Sequence, residues 1–205
     1  ITGTTGSTTT VTCATGYAGT ATFVATCGTG GTFNPITCAA QACTATQVSN
    51  SDKAGSGAIT GTTGSTTTVT CATGYAGTAT FVATCGTGGD FNSITCAAQA
   101  CTPAGNIANS NRASARSITG TTTQNVTVRC EAGYSGGGTA TCGTNSQFNT
   151  NTLTCTVNTC TPSGNIANSN RAAAGSITGT TTQNDTVTCD TGYSGGGTAT
   201  CGMNG

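Results

Sequence analysis

Histidine and tryptophan are both absent from this 205-residue chain, and charged residues make up only 5% of it. Each absence removes a class of chemistry. With no imidazole, and with Lys53 as the sole lysine, a serine hydrolase triad has no base. Five basic and five acidic residues cancel, so nothing recommends a nucleic-acid or an anionic-membrane partner. No apolar run reaches membrane-spanning length and no stretch reads as a signal peptide, so direct membrane insertion is not expected. No cofactor is implied, and the expectation is a protein that is not an enzyme.

Thr, Gly, Ala, Ser and Asn fill the chain instead, with 14 cysteines among them. Bulky apolar residues are thin, and about sixty residues of such a sequence would bury too little surface to be stable on that alone. An even number of cysteines in a hydroxyl-rich chain points to disulfides formed in an oxidising, extracellular compartment. Zinc is the competing use of cysteine. It is disfavoured because no pair has C-x-x-C spacing and no histidine completes a mixed site.

Aligned against itself, the chain repeats every 58 to 59 residues: Cys13, Cys71, Cys130 and Cys189 correspond, as do Cys27, Cys85, Cys142 and Cys201. Such a period marks a tandem array. Residues 1–31 equal residues 59–89, and 101–143 differ from 160–202 at a few positions, so the array holds two A-type and two B-type stretches. The cysteines divide it into a partial module with its linker (1–42), two full modules with linkers (43–100 and 101–159) and a second partial module (160–205). Linkers are four residues, "AAQA" or "TVNT". The expectation is a piece cut from a longer chain. Of the acids Asp52, Asp90, Glu131, Asp185 and Asp190, only Glu131 and Asp190 share a phase, which disfavours a paired-carboxylate glycosidase site.

Local patterns favour strands. "TTTVTC" (66–71) and "NVTVRC" (125–130) alternate a small polar residue with Val or Cys, so that Val69 and Cys71 face inward and Thr68 and Thr70 outward. "TATFVATC" (78–85) reads as a second short strand, and glycine runs such as Gly136, Gly137 and Gly138 read as turns. No helix is expected; "ANSNRASARS" (108–117) reads as a loop.

The stretch "VTCATGYAGTATFVATCGTGGDFNSITC" (69–96) resembles the second half of a sushi, or complement control protein, module. Cysteine order, unit length, the Gly-Tyr step at Tyr17, Tyr75, Tyr134 and Tyr193, and linker length carry the resemblance across essentially the whole chain. Phe33, Phe91 and Phe148 stand where the family usually has tryptophan, and the proline usual before the fourth cysteine is missing. A separate disulfide-rich β family with the same cysteine count is the alternative. Four cysteines allow three connectivities. The resemblance implies first with third and second with fourth: Cys43–Cys85, Cys71–Cys96, Cys101–Cys142, Cys130–Cys155, and by the same rule Cys13–Cys38 and Cys160–Cys201. It leaves Cys27 and Cys189 with partners outside the chain. The implied fold class is all-β, small disulfide-stapled modules in an elongated rod. Tyr17, Tyr75, Tyr134, Tyr193, Phe33, Phe91 and Phe148 would be its core aromatics.

Two N-x-[ST] sequons, at Asn125 and Asn184, share a phase, and strand parity points both outward. N-glycans are expected there, and O-glycans on the outward threonines. Lys53, Arg112, Arg116 and Arg171 share the loop between the first two cysteines of a unit, the place where an acidic glycan or protein would bind if one did. The functional expectation is a structural repeat segment of a long, glycosylated extracellular filament, surface or appendage protein that self-associates into a fibre or array. An adhesion or recognition array binding glycans or proteins is the alternative. Ice binding is a lesser one, disfavoured because the threonine runs recur only once per period.

Overall fold

The structure, a computed structural model, describes residues 1–18, 22–76 and 80–204. They fall into two compact units, Ile1–Ala98 and Gln99–Gly205, each larger than one cysteine repeat. Every regular element is a strand, and among the described residues no helix occurs.

In the first unit, β1 (Thr8–Thr12) pairs antiparallel with β2 (Thr22–Thr26), and β3 (Thr66–Thr70) with β4 (Thr80–Thr84). The two hairpins have one register: Thr8 faces Thr26 in the first, Thr66 faces Thr84 in the second. Residues 78 and 79, read as part of a strand from sequence, lie outside the described residues; Thr80–Thr84 is strand. In the second unit, β5 (Asn125–Val128) pairs with β7 (Gly138–Thr141), β6 (Tyr134–Gly136) with β8 (Cys155–Val157), and β9 (Asn184–Val187) with β10 (Gly197–Thr200).

Alternation of side chains along each strand gives every hairpin a wet and a dry face. Val69 and Ile59 are fully buried with Val48, Cys71, Ala83 and Cys96; Tyr75, Phe81, Phe91 and Ile94 pack against this cluster. Ile118, Val128, Ala140, Cys142 and Phe148 form the corresponding cluster in the second unit. Thr68 and Thr70 are exposed. These cores hold few large residues, so covalent links matter.

Six disulfides supply them: Cys13–Cys38, Cys71–Cys96 and Cys130–Cys155 at a sequence separation of 25, Cys43–Cys85 at 42, and Cys101–Cys142 and Cys160–Cys201 at 41. Within a repeat this joins first to third and second to fourth. Closing loops of this size removes chain entropy worth roughly 3 to 4 kcal/mol per bridge. Cys27, buried, and Cys189, half-buried, form no bridge within these residues.

Candidate functional site

The surface a partner would meet consists of hairpin faces and one loop. On β1 and β2 the outward side chains are Thr8, Thr10 and Thr12 opposite Thr26, Val24 and Thr22, all exposed. The β3–β4 face repeats this with Thr66, Thr68 and Thr70 opposite Thr84, Val82 and Thr80. Val24 and Val82 remain 55% and 52% exposed there.

On the B-type hairpins the first outward position is a sequon asparagine. Asn125 opens β5 opposite Thr141 and is exposed; its Oδ1 accepts a hydrogen bond from Thr141 Oγ1 at 2.7 Å. Asn184 opens β9 opposite Thr200 in the same way, its Oδ1 accepting from Thr200 Oγ1 at 2.7 Å. Both side chains therefore stand in the same place, exposed at the first position of their strands and hydrogen-bonded to the threonine opposite.

The loop between the first two cysteines holds its cations close. Arg112 Nη1 donates to the Ser117 carbonyl at 2.9 Å, and Arg171 Nη1 to the Ser176 carbonyl at 3.1 Å. Arg171 Nη2 also pairs with Asp185. Lys53 Nζ lies 3.2 Å from Asp52 Oδ2. Arg116 is exposed on a backbone with φ 60°. The charges thus share a loop as the sequence places them, but Arg112 and Arg171 brace it from within rather than forming an outward patch.

A serine orders the same loop each time. Ser51, Ser110 and Ser169 Oγ donate to the carbonyls of Val48, Ile107 and Ile166 and accept from the amides of Lys53, Arg112 and Arg171. Sequence reading passed over these serines, although their recurrence was visible. It also passed over Asn34, Asn92 and Asn149, whose Oδ1 atoms accept from the amides of Thr26, Thr84 and Thr141. The recurring Phe-Asn pair was the available signal.

The aromatics divide. Phe148 is buried, while Tyr17, Tyr75, Tyr134, Phe33 and Phe91 are half-buried, Tyr75 and Phe91 against the cluster that holds Cys71 and Cys96. Tyr193 is 58% exposed and so is not a core residue in this structure. In its repeat a cavity of about 220 Å³ is lined by Ile177, Gln183, Asp185, Ala199 and Cys201. The matching Ile118, Ala140 and Cys142 pack with Phe148 in the repeat before.

Among the described residues no three His, Cys, Asp or Glu side chains gather as metal ligands, and no helix is long and apolar enough to cross a membrane. The six disulfides point to an oxidising environment. No known family model matches the sequence, and no curated protein matches it significantly.

Proposed function

We propose that this chain is a structural segment of an extracellular, glycosylated array, built from sushi-like modules in an elongated rod that self-associates into a filament, coat or appendage. The observation that carries this reading is the uniformity of the units. Bridges of the same separation recur along the chain, residues 1–31 recur letter for letter at 59–89, and the outward hairpin faces recur with them. A polymer or spacer needs one geometry many times, and stacked repeats add stability roughly unit by unit. A recognition surface gains from varied faces, and the loop arginines, turned onto their own carbonyls, offer such a surface little.

The bridge pattern, the Gly-Tyr step and the four-residue linkers support the sushi assignment. Exposure of Asn125 and Asn184 at matching strand ends supports N-glycans there. Electron microscopy of the native material is the test. Ordered fibres with a repeating subunit are expected, whereas isolated flexible strings would sink the proposal. Intact mass before and after deglycosylation is expected to fall by the mass of two N-glycans per chain of this sequence, and an Asn125→Gln, Asn184→Gln chain should show no such change.

A further inference from the structure

Within each unit, consecutive repeats meet along a seam made mostly of backbone. In Ile1–Ala98 the linker 39–42 is bonded on both sides. Toward the repeat before it, Ala18 N donates to the Ala39 carbonyl at 2.6 Å and Gln41 N to the Gly16 carbonyl at 2.9 Å. Toward the repeat after it, Thr63 N donates to the Gln41 carbonyl at 2.8 Å. Thr63 Oγ1 then reaches directly across to the Gly16 carbonyl at 2.7 Å.

The seam in Gln99–Gly205 has the same plan with other residues. Asn158 N donates to the Gly133 carbonyl at 2.8 Å and Thr181 N to the Asn158 carbonyl at 2.9 Å. Tyr134 and Val157 pair as strand residues.

At the centre of each seam sits the glycine of the Gly-Tyr step. Gly16 and Gly133 are buried at φ +86° and +88°. A Cβ on Gly16 would lie 2.9 Å from Thr63 Cγ2 and from Thr87 Cα; one on Gly133 would lie 2.5 Å from Thr181 Cγ2. Gly192, at the same phase and φ +91°, is exposed and has no such neighbour within 4 Å. The left-handed backbone explains a glycine at each of these three positions, and at Gly16 and Gly133 a threonine of the following repeat also packs closely onto it.

We infer that the glycine of the Gly-Tyr step and the threonine of the next repeat form a docking surface between consecutive repeats, and that this surface fixes the angle between them. Its partner is the turn at Thr63 or Thr181 in the same chain. Neighbouring domains usually move relative to each other unless an interface holds them. Here a linker bonded on both edges leaves few free torsions, and a threonine seated on a glycine blocks rotation about it. The joint goes beyond the proposed role in a fibre, since it would stiffen an array of any purpose, and failure to find fibres would leave it standing.

The test uses the full chain, with residual dipolar couplings on the β5–β7 and β9–β10 amides and hydrogen exchange at Asn158 and Thr181. In the wild type one alignment tensor should fit both hairpins. Gly133→Ala should require two tensors and speed exchange at Asn158 and Thr181 by about tenfold, while Gly192→Ala, with the same φ cost, should change neither. Adding Thr181→Ser to Gly133→Ala removes the methyl that the new Cβ strikes and should restore the single tensor. Thr63→Val, which adds no bulk, tests the other seam and should speed exchange at Gln41 several-fold. The inference is overturned if the wild type already needs two tensors, if Gly133→Ala has no more effect than Gly192→Ala, or if Thr63→Val leaves Gln41 unchanged.

Discussion

In the A-type repeat the turn before β3 runs Thr62, Thr63, Gly64, Ser65, and in the B-type repeat the turn before β5 runs Thr121, Thr122, Thr123, Gln124. Ser65 Oγ accepts from the Thr62 amide at 3.1 Å, and Gln124 Oε1 accepts from the Thr121 amide at 2.7 Å. Gly64 N donates to the Cys85 carbonyl at 2.9 Å, and Thr123 N to the Cys142 carbonyl at 2.8 Å. At the neighbouring loop, Asp52 Oδ1 accepts from the Thr70 amide where Asn111 Oδ1 accepts from the Arg129 amide. The two types thus satisfy the same backbone donors with different side chains. What is shared is the need for an acceptor at each place; the residue that supplies it is free to drift, whereas cysteines and seam glycines are not.

The largest expected effect comes from the shared staple. Cys71–Cys96 and Cys130–Cys155 close loops of equal separation, so the chain-entropy term should be the same in both types. Replacing either pair by serine is expected to cost about 3 to 4 kcal/mol in urea denaturation. A loss below about 1 kcal/mol in one type only would mean that the types are not stapled alike. The B-type repeat also has the β6–β8 pair beside its bridge, where the A-type has the single bridge Tyr75↔Ala98 among its described residues, so any inequality should favour the B-type.

How much of this was legible depends on where the information sits. Strands were readable because period-two alternation is local: Val69 between two outward threonines has one way to face a core. Bridge pairing was not readable from spacing, because the choice among three connectivities is made by three-dimensional proximity; the family resemblance was needed to narrow it. The arginines were placed in the right loop, yet their contacts depend on the backbone curling to offer the Ser117 and Ser176 carbonyls, which composition does not encode. Tyr193 shows the limit from the other side. Its motif matches Tyr134 letter for letter, yet Tyr134, paired with Val157, is half-buried while Tyr193 is 58% exposed. The seam was missed because a Gly-Tyr step explains itself as a turn, and only the threonine packed against Gly133 shows the second requirement.

A smaller effect should follow from exchanging the turn residues. Thr123 and Thr182 hold φ 71° and 69°, a region costly for a β-branched residue, while Gly64 holds 85° at no steric cost. Thr123→Gly is expected to stabilise the B-type repeat by about 0.5 to 1 kcal/mol despite the added freedom of the unfolded chain, and Gly64→Thr to destabilise the A-type repeat by a similar amount. Thermal melting of the two variants checks this. If both changes destabilise, the B-type turn has compensations beyond its amide acceptor, and the two types differ more deeply than in the residue that fills each role.

The smallest effect separates the types by pH. The Thr70 amide donating to Asp52 holds its carboxyl below the ordinary value of 3.8; the ion and hydrogen bond with Lys53 act in the same direction and desolvation acts against them. A carboxyl with a depressed folded-state pKa adds stability that is present above the unfolded value and is lost as pH falls through the folded one. Exchange protection at Thr70, corrected for the intrinsic rate, should therefore fall as pH drops below about 4. Arg129 and Thr188 donate to Asn111 and Asn170, which do not titrate, so their protection should stay level over the same range. Asp52→Asn should make Thr70 behave as they do. If Thr70 still loosened in that variant, the acid sensitivity would belong to the hairpin rather than to the carboxylate, and the interchange of Asp for Asn between the two types would be functionally silent.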